Sequence, residues 1–313
     1  MKFRKNLKRL KGDASKRVFF RNKKKRSSSI IIFANKDKKL NLLIYDSINK
    51  ILLKNNILAP KLLKENYSKN FIEIEDFGNQ TILSLLKKNK VNKIEIFNKI
   101  IRLLIKIQLI NQKKIKNFKK KNYKIPLYEP KILLDEANLF SSWYINKRLN
   151  SSQKILFKKK FTKSVRNLIK QLRFKNNIFV HRDFHVSNLM MVKNKIGVID
   201  NQDALIGNIA YDLASLIDDV RFKTSTSFKK KLLDFYIKSK KKINKQDFIN
   251  DFEIISVLRN LKIIGIFTRL AVRDKKKRYL KFIPYAWNLI KLRSKNNDKF
   301  RNLNDLLNTI KKN

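Results

Sequence analysis

Apolar and polar positions divide the chain into a strand-rich beginning and a mainly helical remainder. Residues 17–21 and 29–33 are short apolar runs separated by a basic loop, and residues 70–74 alternate apolar and polar side chains as strands do. Residues 40–56 instead place leucine, isoleucine and tyrosine at near-helical spacing, and Pro60 marks the end of that helix. The pattern predicts a small lobe of strands with one helix.

The stretch after residue 80 is predicted to be mostly helical. Amphipathic periodicity is found in residues 91–110, 130–149 and 153–174, and helical patterns resume from residue 210 to the end. Residues 113–124 are rich in lysine, and we interpret them as a basic linker.

Three short apolar runs interrupt this helical remainder. Residues 177–180, 188–192 and 196–199 have the length of strands, and polar residues are crowded between them. They predict a small hairpin embedded in the second lobe.

The whole pattern predicts an α+β chain with two lobes. The N-terminal lobe covers residues 1–74, a hinge covers residues 75–80, and the C-terminal lobe covers residues 81–313. A length of 313 residues suits one large domain or two small ones.

Composition excludes several classes of site. The chain has no cysteine and two histidines, so a disulfide framework, a disulfide partner and a structural zinc site are not expected. The longest strongly apolar run, residues 30–34, is too short to span a membrane, so no membrane partner is expected. The basic residues 1–5 lack the apolar segment of a secretory signal, which predicts a cytoplasmic protein.

The positive charge is the strongest compositional feature. Lysine and arginine number 76 against 24 acidic residues, a formal net charge of +52, and proteins of this kind bind phosphate backbones. The lysines are spread along the whole chain, and isoleucine and asparagine are abundant while glycine falls to five residues and proline to four. AT-rich codons give this skew whatever the function, so we expect no specific nucleic-acid partner, with a basic nucleic-acid-binding protein as an alternative.

The residues that carry chemistry are concentrated at 181–188 (His-Arg-Asp-Phe-His-Val-Ser-Asn) and 199–203 (Ile-Asp-Asn-Gln-Asp). Phosphoryl transfer needs a carboxylate beside the acceptor hydroxyl and oxygen ligands for Mg²⁺ on ATP. Asp183 is the candidate base, and Asn188 and Asp200 are the candidate metal ligands. The alternative is that these side chains only cap turns and helices.

These residues resemble the aminoglycoside phosphotransferase and choline kinase-like superfamily. The resemblance rests on residues 181–190 and on residues 199–216, although Asn-Gln follows Asp200 where protein kinases have Phe-Gly. Within this superfamily, residues 12–21 and 259–280 resemble the bacterial cell-wall amino-sugar kinases in particular. Those enzymes phosphorylate the anomeric hydroxyl of N-acetylmuramate and N-acetylglucosamine.

The resemblance extends from about residue 7 to residue 292 and implies a protein kinase-like two-lobe fold. It implies ATP and Mg²⁺ as cofactors and a small hydroxyl-bearing substrate, with an amino sugar favoured. Another small hydroxyl substrate, such as an aminoglycoside, a choline-like alcohol or a different sugar, remains an alternative. So does a non-catalytic protein on the same scaffold.

The resemblance also implies where the triphosphate binds. Gly12 and Ser15 fall in the turn that lies over the phosphates, although the same turn is ordinary hairpin chemistry. Kinases carry a lysine on a strand of this lobe, but residues 30–34 contain none, so Arg17 or Arg21 is the candidate replacement.

Other candidates are less specific. Glu75 and Asp76 lie at the predicted hinge, where the resemblance implies that backbone groups bind the edge of adenine. Glu136 and Trp143, seven residues apart and so on one helix face, would bind a sugar, as would Asp203. The alternatives are a linker turn for the first pair and a helix surface with a core aromatic for the second.

Three further residues are expected to support the site rather than to react. Arg182 and His185 lie within the catalytic loop, where Asp183 already occupies the position of the base. Asp212 is expected to hydrogen-bond the backbone of that loop.

Overall fold

The computed structural model describes residues 7–10, 17–25, 27–240 and 242–310. The strands are β1 (Leu7–Leu10), β2 (Val18–Lys23), β3 (Ser28–Phe33), β4 (Leu62–Asn66), β5 (Phe71–Glu75), β6 (Lys114–Lys116), β7 (Asn122–Lys124), β8 (Ile178–Val180), β9 (Leu189–Val192), β10 (Lys195–Val198) and β11 (Leu205–Gly207). The helices are α1 (Leu40–Lys54), α2 (Ile82–Lys87), α3 (Lys93–Gln108), α4 (Pro130–Leu139), α5 (Ser151–Lys170), α6 (Tyr211–Ile217), α7 (Thr226–Ser239), α8 (Lys245–Val272), α9 (Ile283–Ser294) and α10 (Arg301–Thr309). None of these helices is long and apolar enough to cross a bilayer.

The first five strands form an antiparallel sheet in the order β1-β2-β3-β5-β4. Alternate isoleucines of β3 and β5, Ile32 and Ile72, are paired in register and buried against Leu42 and Tyr45 of α1. Every second residue of β5 is buried on the face of the sheet that α1 covers, and this alternation is the pattern that the sequence showed. The predicted strands and helix are confirmed. The sequence analysis did not predict β4, which is mostly exposed.

The basic stretch at 113–124 is not a linker, and that interpretation is wrong. Its strands β6 and β7 pair antiparallel around a turn in which the side chain of Asn117 accepts hydrogen bonds from two backbone N–H groups. Ile115 is the buried residue of β6, and the N–H of Phe118 donates to Asp46 of α1 at 2.7 Å. A strand pair with one inward apolar residue has too little periodicity to be identified from sequence, and the tertiary hydrogen bond leaves no sequence pattern.

Internal contacts divide the chain into two compact units. One unit contains Met1–Pro126 and Phe179–Ile206, and the other contains Leu127–Ile178 and Gly207–Asn313. These units differ from the predicted lobes. The predicted hairpin, which the structure shows as β9 and β10, belongs to the same unit as the N-terminal sheet. The lobe boundaries at 74 and 80 therefore stay a prediction.

The second unit is organised around α8, a helix of 28 residues that packs against α4, α6 and α9. The helix predicted over residues 130–149 is only partly confirmed. After α4 the chain continues as a π-helix over Phe140–Tyr144 and a 3₁₀ turn over Ile145–Lys147. Gly265 of α8 lies against this junction, because a Cβ built on it would be 2.3 Å from the carbonyl carbon of Leu139.

We expect Gly265→Ala to destabilise the fold by about 1–3 kcal/mol or more, since overpacking against backbone cannot be relieved by a side-chain rotation. Urea unfolding of the purified variant measures this. Gly197→Ala is the control, because its added Cβ meets the side chain of Phe77 at 2.7 Å rather than a backbone atom. An equal or smaller loss in Gly265→Ala than in the control would contradict the packing argument.

Candidate active site

The loop between β8 and β9 holds the candidate base. Arg182 adopts a left-handed backbone conformation with φ of 76°, an uncommon geometry that is frequent at functional sites. The carbonyl of Asp183 accepts hydrogen bonds from the N–H of His185 at 3.1 Å and from the side-chain amide of Asn188 at 3.1 Å. Phe184 in the same loop is fully buried, so the backbone on both sides of Asp183 is fixed.

Asn188 connects this loop to the next candidate ligand. Its carbonyl accepts from the N–H of Ile199 at 3.0 Å, which brings Asn188 beside the end of β10. Asp200 follows immediately, also left-handed with φ of 65°, and its side chain is 37% exposed. The structure thus joins Asn188 to Asp183 by one hydrogen bond and to Ile199, the residue before Asp200, by another. The roles of Asp183 as base and of Asn188 and Asp200 as metal ligands stay a prediction.

The donor set at this place fits a magnesium ion that arrives with a nucleotide. The side-chain N–H₂ of Asn188 donates to the carbonyl of Asp183, so its Oδ1 is a candidate ligand for a cation, as is the carboxylate of Asp200. Across the part of the chain that the structure describes, no group of three or more His, Cys, Asp or Glu side chains forms a cage for a metal. Mg²⁺ commonly takes one or two protein oxygens and completes its shell with phosphates and water.

Arg17 lies directly beside the carboxylate of Asp200. Its guanidinium donates to Asp200 Oδ1 at 2.7 Å and to Gln202 Oε1 at 2.7 Å, and its side chain is only 8% exposed. Gln202 in turn donates to Asp203 at 2.6 Å. Burial, and then the charge of Asp203, raises the pKa of Tyr123 to about 12. The sequence analysis missed Gln202 and Tyr123, because their link to the site depends on the fold.

Arg21, the other arginine considered for the phosphates, is bonded instead to residues of the predicted hinge. It forms an ion pair with Asp76 at 2.6 Å and donates to the carbonyl of Gly78 at 2.8 Å. Asp76 also accepts from the N–H of Gly78, whose φ of 81° suits glycine. The backbone N–H of Glu75 donates to the carbonyl of Lys61. The carboxylate of Asp76 is therefore engaged within the protein.

In the second unit, Glu136 belongs to a buried polar cluster. Its carboxylate pairs with Lys262 at 2.9 Å and accepts a hydrogen bond from the hydroxyl of Tyr128. The hydroxyl of Tyr128 also forms a hydrogen bond of 3.0 Å with the hydroxyl of Tyr211. The ammonium of Lys262 lies 3.4 Å from the Tyr211 hydroxyl. Glu136 is 9% exposed, so its sugar-binding role stays a prediction that must compete with these partners.

The expected alignment of Glu136 with Trp143 is wrong. That expectation assumed an α-helix through both residues, but the helix widens to a π-helix from Phe140 to Tyr144. Each π-helical residue turns the chain through a smaller angle, so a spacing of seven no longer returns to the same face. Trp143 is half-buried.

The remaining candidates are placed as follows. Gly12 and Ser15 lie outside the described residues. In the loop that holds Asp183, His185 is buried and Arg182 is half-buried, and their supporting roles stay a prediction. Asp212 is buried near the start of α6, and its bond to the catalytic loop stays a prediction.

A family model, a relative in sequence and two solved structures are similar to this chain. The family model described as "Phosphotransferase enzyme family" matches residues 6–244. An N-acetylmuramate/N-acetylglucosamine kinase of Neisseria meningitidis serogroup B is 29% identical over 290 residues, which are 89% of this chain and 83% of the relative.

Solved structures share the fold at low identity. The gentamicin complex of APH(2")-IIa superposes with a TM-score of 0.65 at 14% identity and covers 91% of this chain and 93% of that one. A choline/ethanolamine kinase family protein from Mesorhizobium loti superposes with a TM-score of 0.63 at 12% identity, covering 96% and 92%. The kinase-like α+β fold with a sheet-containing N-lobe and a helical C-lobe is thereby confirmed.

The family model covers most of the chain, and the resemblance found in the sequence is confirmed. The chain belongs to the phosphotransferase enzyme family, as an ATP-dependent kinase that acts on a hydroxyl group.

Proposed function

We propose that this kinase phosphorylates the anomeric hydroxyl of N-acetylmuramate or N-acetylglucosamine, as an enzyme of cell-wall recycling. The observation that carries the choice of acceptor is the similarity, over 89% of this chain, to a kinase named for these two sugars. The geometry around Asp183 carries the reaction class. A reaction that consumes ATP suits the cytoplasm.

In the proposed reaction, Asp183 orients the hydroxyl on C1 and accepts its proton. As the sugar oxygen bonds to the γ-phosphorus, the bond from that phosphorus to the β–γ bridging oxygen breaks and ADP leaves. Asn188 Oδ1 and the Asp200 carboxylate would hold Mg²⁺, and a bound Mg²⁺ would supply positive charge beside the phosphate oxygens. The two hydrogen bonds to the Asp183 carbonyl keep its side chain in the position that an in-line transfer requires.

The remaining predicted contacts complete this proposal. Gly12 and Ser15 would bind the phosphates, and backbone groups at Glu75 and Asp76 would bind adenine. Asp203 lies two hydrogen bonds from Arg17, through Gln202, and is proposed to face the acceptor. Glu136 and Trp143 are proposed to contact the sugar independently of each other.

Arg17 is the proposed replacement for the missing strand lysine. Its guanidinium lies 2.7 Å from the carboxylate that would bind the metal, and Arg21 is engaged at the hinge. A bound metal would neutralise Asp200 and leave this buried cation to the phosphates.

We therefore expect Arg17→Ala to raise the KM for ATP at least about tenfold, since a charge-assisted contact contributes about 1.5–3 kcal/mol. The KM for the sugar should change much less. Initial rates at varied ATP measure this, with Arg301→Ala as the control because Arg301 forms an exposed pair with Asp298. An unchanged KM for ATP in Arg17→Ala would remove Arg17 from the nucleotide site.

An acceptor panel tests the proposed function. ADP release with MgATP is measured for N-acetylmuramate, N-acetylglucosamine, an aminoglycoside and choline. We expect the highest kcat/KM with the two N-acetylated sugars and no reaction with a methyl glycoside of N-acetylglucosamine, which lacks the free anomeric hydroxyl. A preference for the aminoglycoside or choline, or turnover of the methyl glycoside, would overturn the proposed acceptor.

A further inference from the structure

A buried chain of side-chain amides runs from the catalytic loop to helix α1. The N–H of Asp183 donates to His181 Nδ1 at 3.3 Å, and His181 Nε2 lies 2.7 Å from Asn201 Oδ1. Asn201 then donates to Asn49 Oδ1 at 2.7 Å, and Asn49 donates to the carbonyl of Pro60 at 2.8 Å. We call the side chains of His181, Asn201 and Asn49 the amide chain. All three are at most 3% exposed.

The amide chain has one direction, meaning one assignment of donor and acceptor atoms, that gives every donor an acceptor. The N–H of Asp183 needs an acceptor, so Nδ1 of His181 carries no proton and Nε2 carries it. That proton needs the oxygen of Asn201, which turns the Asn201 N–H₂ toward Asn49 and toward the carbonyl of Val198 at 3.2 Å. Reversing either amide would set donor against donor in a site without water exposure.

This direction fixes the backbone at two reacting positions. At one end, the bond to His181 holds the peptide N–H of Asp183, just after the left-handed Arg182. In the middle, Asn201 immediately follows the left-handed Asp200 and is anchored on both sides. Both conformations are uncommon for residues other than glycine and persist only where the surroundings impose them.

We propose that Asn49 and Asn201 are positioning residues that act through His181 to hold Asp183 and Asp200 in their working geometry. This inference rests on the proposed catalytic role of Asp183. Neither asparagine touches the reacting atoms. Asn49 belongs to α1, 152 residues away from Asn201 in sequence, so the packing of α1 sets the geometry of the catalytic loop.

The tautomer of His181 is the first test and requires no activity. The chain has two histidines, so imidazole nitrogen NMR of the ¹⁵N-labelled full chain resolves few signals, and His181→Gln assigns them. We expect the ring proton of His181 on Nε2, which faces Asn201, rather than on Nδ1. In Asn201→Ala we expect loss of that single tautomer. A proton on Nδ1 of wild-type His181 would overturn the proposal.

Kinetics form the second test. In Asn49→Ala and in Asn201→Ala we expect kcat to fall by roughly 10–100-fold, with the KM for ATP within about threefold, since misplacement by about 1 Å is costly in turnover but not in nucleotide binding. The double variant should lose little more than either single one, because both act through one chain. Asn208→Ala is the matched control, as Asn208 is a buried amide that donates to Asp251 and lies outside the amide chain.

The outcomes separate the possibilities. Folded Asn49→Ala and Asn201→Ala with wild-type kcat would overturn the proposal, as would additive losses in the double variant. Should Asn201→Ala fail to fold, Asn49→Ser decides, because its hydroxyl keeps an acceptor near Asn201 and should restore part of the lost kcat relative to Asn49→Ala. The rates are taken with whichever acceptor the wild type phosphorylates, so a wrong sugar acceptor overturns the proposed function but leaves this test intact.

Discussion

Asp183→Asn should lower kcat by on the order of 10²–10⁴ while MgATP binds with nearly unchanged affinity. The amide cannot accept the acceptor's proton, but it keeps the size of the side chain. The backbone bonds that hold the loop, from His185 and Asn188 to the Asp183 carbonyl, do not involve the altered group. Steady-state rates and calorimetric titration with ATP measure the two quantities.

Asp305→Asn is the control for this variant, because Asp305 is an exposed carboxylate on α10. It should show wild-type turnover. Turnover of Asp183→Asn within a few-fold of the wild type would contradict the role of Asp183 as base, and a parallel loss of ATP affinity would indicate a damaged site instead.

Asp218→Ala should destabilise the protein by about 3–5 kcal/mol, the usual effect of removing one partner from a buried ion pair. Asp218 is 3% exposed and pairs with Lys229 at 3.1 Å and with Arg293 through both oxygens, at 2.9 and 3.1 Å. Ser256 donates to it at 2.6 Å. Its removal leaves the buried Lys229 and the half-buried Arg293 of the second unit without their carboxylate. Urea unfolding at neutral pH measures the loss.

The same cluster predicts how stability depends on pH. Burial raises the pKa of Asp218, but the charges of Arg293 and Lys229 outweigh burial and hold it below its ordinary value. A carboxyl whose pKa is depressed by folding adds stability above its unfolded pKa of about 3.9, and that stability is lost as pH falls through the folded value. The difference in free energy of unfolding between the wild type and Asp218→Ala should therefore be largest near pH 6 and should decrease in stronger acid.

Asp298→Ala is the control, since Asp298 forms an exposed pair with Arg301 and should change stability little at any pH. A destabilisation of Asp218→Ala that stays constant down to strongly acidic pH would show that packing, rather than charge, is what Asp218 contributes.

The strands that carry the site could be predicted because their signals are local. The apolar runs at β8, β9 and β10 stand out against the polar loop between them, and Asp183, Asn188 and Asp200 are fixed by positions in that loop and the hairpin. The left-handed conformations at Arg182 and Asp200 have no comparable signal. Arginine rarely adopts this conformation, and aspartate, although enriched in it, is found far more often in others.

The features that were missed depend on contacts between distant residues. The π-helix after α4 continues an ordinary helical pattern, and its geometry accompanies the close approach of Gly265 from α8. Glu136 could be taken for a free carboxylate because its partner, Lys262, lies on α8, far along the chain. The choice between Arg17 and Arg21 likewise required seeing that Arg21 pairs with Asp76.

The position of phosphate on the product tests the central claim most directly. N-acetylmuramate is incubated with MgATP and either the wild type or Asp183→Asn, and the product is examined by phosphorus–proton correlation NMR. The account predicts phosphate on the anomeric oxygen with the wild type and almost no product with the variant. Phosphate on any other hydroxyl, or equal product from the two proteins, would contradict it.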